Sequence, residues 1–243
     1  MKNIVLLPLL FLSFISCAQF NKYKKQAESY VSKEEPKASL TEEEVGKGLK
    51  EALEKGCKSA VDKGGAEDSF YKDPKLFIPF PDEAVQVKEY ALKAGMKNQV
   101  NDFEKSMNRA AEKATTSAVD ILIKAVLEMT IEDAWAILKG DEKAATDYLK
   151  KKTYASLYEK FLPISKKAIE EVEVTKYWNP LASAYNKTTF FSGEKKVNPD
   201  LDKYITEKAL DGLFLLISDE EKLIRKDPLA RTTDLLKKVF GKQ

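Results

Sequence analysis

An all-α fold is predicted for this sequence: one helical bundle of roughly eight helices, with a single short extended or loop segment near residues 66–80. Three features predict it. From residue 40 onward apolar residues recur at alternating spacings of three and four, Ser, Thr, Asp or Asn stand where such runs begin, and Gly or Pro stands where they end.

The elements follow in chain order. Thr41 with Glu44 forms a capping box, and Val45, Leu49, Ala52, Leu53 and Val61 carry a first helix from Glu42 to about Lys63, before Gly64-Gly65. Gly46, Gly48 and Gly56 weaken that helix by up to about 1 kcal/mol each, which points to close packing against a neighbour or a tolerated weakness. Cys57 lies on its apolar side and reads as a small buried hydrophobe. The prolines and aromatics of Ala66 to Pro79 predict the ordered loop or extended segment. Pro81-Asp82-Glu83 opens a helix carrying Val85, Val87, Tyr90 and Leu92 as far as Gly95, and Asn98 is expected to cap the next.

Phe103, Met107, Ala110, Ala114, Ser117, Ile121 and Ala125 then predict one long central helix to about Met129, whose Ala110, Ala111, Ala114 and Ala118 admit a close neighbour. Thr130 caps a short helix ended by Gly140, Asp141 caps another, and Thr153 starts a further one that Pro163 kinks or interrupts. Asn179-Pro180 and Asn198-Pro199 each read as an N-cap followed by proline at the first helical position. The second of these helices turns Leu201, Ile205, Leu210, Leu213, Phe214 and Ile217 inward and stops before Asp227-Pro228. A last helix carries Leu235, Leu236, Val239 and Phe240.

The first forty residues differ in kind. Lys2, the apolar run Ile4 to Ile15, and Ser16 before Cys17 read as a lipoprotein signal peptide, residues 1–16, with Cys17 as the lipidated residue. The run is too short to span a hydrocarbon core of about 30 Å. The competing reading makes Cys17 an ordinary apolar residue near a cleavage site, since Phe14 stands where such signals more often carry Leu. Residues 17–39, charged and broken by Pro36, then form a flexible tether, and residues 40–243 the helical domain. With Cys17 acylated, Cys57 has no intrachain partner, so the fold must hold without a disulfide.

Charge and composition exclude several activities. Lysines and arginines number 41 against 39 acids; removing residues 1–16 takes away one lysine and no acid, and the two signs are interleaved throughout, so no nucleic-acid partner is expected. There is no histidine. That removes His-based metal sites and the usual nucleophile–base pairs. No phosphate-binding glycine loop occurs, so no cofactor is expected. Asn198, Asp200 and Asp202 have the spacing that opens a calcium loop, but Lys203 replaces the required glycine and Ala209 the closing glutamate, so no metal is expected there.

Two groups remain as candidate sites. Arg109 and Glu112 on the long helix, with Arg231 and Asp234 near the C-terminus, form a speculative polar cluster. It is read first as a structural clamp, if those helices meet, and second as the polar end of a cleft. Tyr177, Trp178 and Tyr185 could floor a pocket for a sugar or lipid group, although aromatics at helix junctions usually bury. No catalytic residue is assigned.

The strings FIPFP, DFEKSMNRAAE, MTIEDAWAILKG, AATDY, KYWNPLASAYN, VNPDLDKYITEKALDGLF and EEKLIRKDPLARTTDLLKKVFG resemble a bacterial family, domain of unknown function 4197, over roughly Leu40 to Gly241. The resemblance implies an exported helical protein, often a lipoprotein, and brings no activity or site residue with it. With no cofactor motif, metal-ligand cluster or histidine base in a well-specified helical core, the expected function is non-enzymatic: a binding or scaffolding module facing the periplasm, lipid-anchored in the outer membrane rather than the inner, with an envelope protein as partner. A carboxylate-dependent hydrolase of envelope polymers and a helical carrier of an apolar ligand are the alternatives. Oligomeric state is not encoded in any motif.

Overall fold

A computed structural model describes residues 41–193, 195–227 and Lys237. Its elements are α1 (Glu42–Gly65), α2 (Val85–Lys93), α3 (Lys97–Thr115), α4 (Val119–Leu127), α5 (Ile131–Lys139), α6 (Ala144–Glu171), α7 (Val174–Ser192) and α8 (Leu201–Lys226). Short 3-10 turns precede α2 and join α3 to α4. The described residues contain no strand. No described helix is long and apolar enough to cross a membrane. The expected signal, the tether and the last helix lie outside the described residues.

Local chemistry accounts for the helix ends. Thr41 accepts the Glu44 N–H at 3.1 Å while Glu44 accepts the Thr41 N–H at 2.9 Å; Thr130 and Asp133 repeat the exchange at the start of α5. Several boundaries differ from the sequence reading. Asn98 lies inside α3, which begins at Lys97 with no side-chain cap. Thr153 is interior to α6 and bonds back to the Leu149 carbonyl at 2.6 Å, and α6 runs without interruption through Pro163. Asn179-Pro180 is likewise interior to α7. Asp200, not Asn198, caps α8 by accepting the Lys203 N–H at 3.0 Å. In α6 and α7 burial of a long apolar stripe outweighs a local signal of about 1 kcal/mol for a cap or about 3 kcal/mol for a proline.

The predicted long central helix divides at Thr116–Ala118. Thr115 and Thr116 turn their hydroxyls onto the Ala111 and Lys113 carbonyls, both at 2.8 Å, the back-bonding that bends helices. The tighter turn rephases the apolar stripe. Ala118, Leu122 and Val126 are fully buried, whereas Ser117 is exposed and Ile121 and Ala125 are half-buried.

Helix α8 packs on α1, α3 and α6, and α3 also packs on α6 and α7. Two core clusters result. One joins α1, α4, α5, α6 and the second half of α8 around Leu122, Leu149, Phe161 and Leu213. The other joins residues 70–80, α2, α3, α7 and the start of α8 around Phe103, Trp178 and Ile205. Val85 and Leu92 of α2 stay 40% and 44% exposed; its buried face is Val87, as expected, with Ala91, and Ala84 of the preceding turn is buried beside them. The predicted alanine seam is present, with Ala110, Ala111, Ala114 and Ala118 all fully buried. The loop is ordered by insertion: Phe70, Leu76, Ile78 and Phe80 are all buried, and the Phe70 ring lies where a Cβ on Gly212 would stand only 2.6 Å from it.

Candidate functional site

The polar residues of α3 face the loop. Glu112, 3% exposed, accepts the Phe70 and Tyr71 N–H groups at 3.0 and 3.3 Å on one oxygen and the Arg109 guanidinium at 2.6 Å on the other. Arg109 also donates to Asp68 at 2.5 Å and Glu67 at 3.0 Å. Asp68 has φ of 71°, so the chain turns sharply where Arg109 meets it. One helical turn back, Asn108 accepts the Ile78 N–H at 2.8 Å and donates to the Ile78 carbonyl at 3.0 Å, pairing with the extended chain as a neighbouring strand would. Tyr204 of α8 donates to the Pro79 carbonyl at 3.0 Å. Together α3 and α8 clasp the loop by its backbone.

An open cleft lies over this cluster between α3 and the end of α6, and the Lys113–Glu171 pair at 3.0 Å spans it. Two carboxyls at and beside the cleft are held below their ordinary range by cationic neighbours. Hydrogen bonding from Lys72 holds the Asp68 carboxyl below its ordinary range, with burial opposing and Arg109 adding to the effect. Lys113 does the same for Glu171. A carboxyl that must donate a proton near neutral pH needs the opposite displacement.

Arg231 and Asp234 lie outside the described residues; the described partners of Arg109 are Glu67, Asp68 and Glu112. Trp178 and Tyr185 are 4% and 5% exposed. Trp178 packs 5.2 Å from Phe103 and Tyr185 packs 6.0 Å from Tyr90, with the Tyr185 hydroxyl 2.6 Å from Gln86 Oε1. Tyr177 is half-buried beside Lys176. The core therefore takes up most of this aromatic group.

A second buried network had no place in the sequence reading. Glu221 of α8 accepts the Ala145 and Thr146 N–H groups at 3.0 and 2.8 Å and the Thr146 hydroxyl at 2.8 Å, closing the N-terminus of α6 from outside the helix. Arg225 donates to Glu221 and, at 2.8 Å, to the Ile137 carbonyl at the C-terminus of α5. The sequence carries a trace of it in the four-residue spacing of Glu221 and Arg225, which an exposed helix pair shares. Asn108 was passed over for a similar reason: one polar residue beside an apolar stripe does not reveal what it pairs with.

The family assignment comes from residues 39–241, which match the model for a protein of unknown function, DUF4197. The chain belongs to this family. The match takes in α1 to α8, the clasped loop and the C-terminal segment carrying Arg231 and Asp234. No curated protein and no solved structure matches the chain.

Proposed function

We propose that this DUF4197 protein is a non-enzymatic envelope lipoprotein, held by lipid on Cys17 after loss of residues 1–16, whose helical domain binds or scaffolds a partner in the periplasm, at the outer membrane. The observation that favours binding over catalysis is the use made of its buried polar groups. Asn108, Glu112, Glu221 and Arg225 are all directed at backbone N–H or C=O groups, where they hold loops and helix ends. A catalytic group needs at least one competent atom turned toward a substrate. The cavity beside Cys57, lined almost wholly by apolar atoms, holds little more than a water molecule, which does not favour an apolar-ligand carrier.

The test has two arms. Cells labelled with a radioactive fatty acid should incorporate it into the wild-type chain, and Cys17→Ser should abolish the label and release the protein from membranes. Crosslinking of the anchored protein in intact envelopes should then capture a defined partner. Unchanged fractionation without label overturns the anchor. Hydrolysis of purified envelope polymers, lost in Glu112→Gln with the fold retained, overturns the non-enzymatic reading.

A further inference from the structure

Tyr185 and Asn186 are neighbours on α7, and each fixes one wall of a polar cleft. The buried Tyr185 donates its hydroxyl to Gln86 Oε1 at 2.6 Å, and the Gln86 amide nitrogen has no acceptor among the described residues. Asn186 accepts the Val197 N–H at 2.9 Å and donates to the Val197 carbonyl at 3.1 Å, holding the chain before α8 as Asn108 holds Ile78. The cleft between these walls has a volume of about 500 Å³. Asp82, Glu83 and Gln86 line it from the start of α2 and its preceding turn; Lys195, Lys196 and Asn198 line it from the chain before α8. The turn carrying the two acids is closed by the Ala84 N–H on the Pro81 carbonyl at 2.7 Å and seated by the buried Ala84. Among the described residues no ion pair joins the two walls. Elsewhere on the surface such charges close on each other, as Lys113 does on Glu171 at 3.0 Å and Lys226 on Glu142 at 2.7 Å. An exposed pair is worth under about 1 kcal/mol, so separation alone marks nothing. What marks this cleft is the bracing of both walls from two consecutive residues of α7, with a fixed amide donor between charges of both signs.

We propose that this cleft binds a small zwitterionic ligand, an amino acid or short peptide with free termini: Lys195, Lys196 and the Gln86 amide take its carboxylate, and Asp82 and Glu83 take its ammonium group. The chemistry of the walls selects this class. A simple anion meets the repulsion of Asp82 and Glu83, and a simple cation that of the two lysines, whereas a ligand carrying both charges is complementary to both walls. No aromatic ring among the described residues lines the cleft, so it offers a sugar or lipid group no stacking face. Tyr185 serves the cleft through its hydroxyl, as a positioning residue for Gln86, while its ring packs 6.0 Å from Tyr90. The inference goes beyond the binding role proposed above and depends neither on the lipid anchor nor on the envelope partner.

Isothermal titration calorimetry of the purified full-length protein with alanyl-alanine tests this, with N-acetyl-alanyl-alanine and alanyl-alanine amide as the two blocked forms. The free dipeptide should bind saturably at one site, more weakly at high salt. Each blocked form should bind at least about tenfold more weakly, the loss expected for one charge-assisted hydrogen bond. Asp82→Asn/Glu83→Gln should no longer distinguish the dipeptide from its N-acetyl form, and Lys195→Gln/Lys196→Gln should no longer distinguish it from its amide. Gln86→Leu and Tyr185→Phe should both weaken the free dipeptide with the wild-type circular dichroism spectrum retained; Gln86 is exposed, so its substitution does not disturb the core. The absence of saturable binding by the free dipeptide overturns the proposal. So does equal affinity for free and blocked forms, or an affinity unchanged in both charge variants. An N-acetylated dipeptide that binds as tightly as the free one gives the cleft to a simple anion and overturns the zwitterion assignment. Each of these failures leaves the anchor and the crosslinked partner standing.

Discussion

Glu112 shows how one side chain can decide a local fold. Its carboxylate is the acceptor for two loop N–H groups and for Arg109, with 4% of the side chain exposed. Removing either partner leaves a buried charge or buried donors without compensation, a loss of about 3–5 kcal/mol, against under about 1 kcal/mol for an exposed pair. Arg109→Ala and Glu112→Ala should each lower Tm by about 10 °C at 2–4 °C per kcal/mol. Glu112→Gln, which keeps one acceptor for the loop, should lose less. Wild-type melting in Arg109→Ala would show that Arg109 does not hold the loop onto α3. The glycines give a contrast of sign. Gly56 faces the Glu220 Cβ at 3.6 Å, ordinary contact distance, so Gly56→Ala fits and should stabilise α1 by about 0.5–1 kcal/mol. Gly212→Ala drives a Cβ to 2.6 Å from Phe70 and should cost about 1–3 kcal/mol in denaturant titrations. The sequence shows that Gly56 weakens a helix. Only the packing shows that Gly212, and not Gly56, is required.

At the scale of elements, an end closed from within a helix differs from one closed by a neighbour. Thr41 caps α1 through an exposed local exchange, so Thr41→Ala should cost about 1 kcal/mol. Glu221 closes α6 from α8 and holds Arg225 at the end of α5, so Glu221→Ala should cost about 3–5 kcal/mol and expose the Ala145 and Thr146 amides to hydrogen exchange. Equal losses in the two variants would show that Glu221 contributes no more than an exposed local cap. The same division explains which elements were legible. The capping box at Thr41, the cap at Thr130 and the inward face of α8 rest on contacts within four residues, and the structure has them where the spacing put them. The starts assigned to Thr153 and Asn179 failed because a local cap was weighed without the stripe that runs through it, and the start assigned to Asn198 lies two residues before the Asp200 cap. The clasp on the loop joins residues 30 to 125 positions apart, a separation that periodicity does not reach.

For the whole molecule, ionisation sets the window in which the fold is stable. The Thr130 backbone N–H is the main group holding Asp133 below its ordinary range, as Lys72 is for Asp68 and Lys113 for Glu171. Their contributions are complete above the unfolded carboxylate range near pH 4 and are lost as pH falls through the lower native values. On the alkaline side the displacement is upward. Burial pushes the Cys57 thiol from 9.0 to about 12; burial, with Asp133 adding to it, carries the Tyr148 phenol from 10.0 to about 12. Above pH 9 the unfolded chain releases the Cys57 proton while the native chain retains it, so stability falls with rising pH, and the tyrosines add a second decline above pH 10. Urea titrations of the wild type should therefore show a plateau from about pH 5 to pH 8 and a first loss beginning near pH 9. Cys57→Ala should lower the plateau by a pH-independent amount, because a small cavity is left, and should move the onset of the alkaline decline to about pH 10. The same onset in wild type and variant would show that Cys57 ionises as readily in the folded protein as in the unfolded chain, and so that the first core cluster around it is open to water.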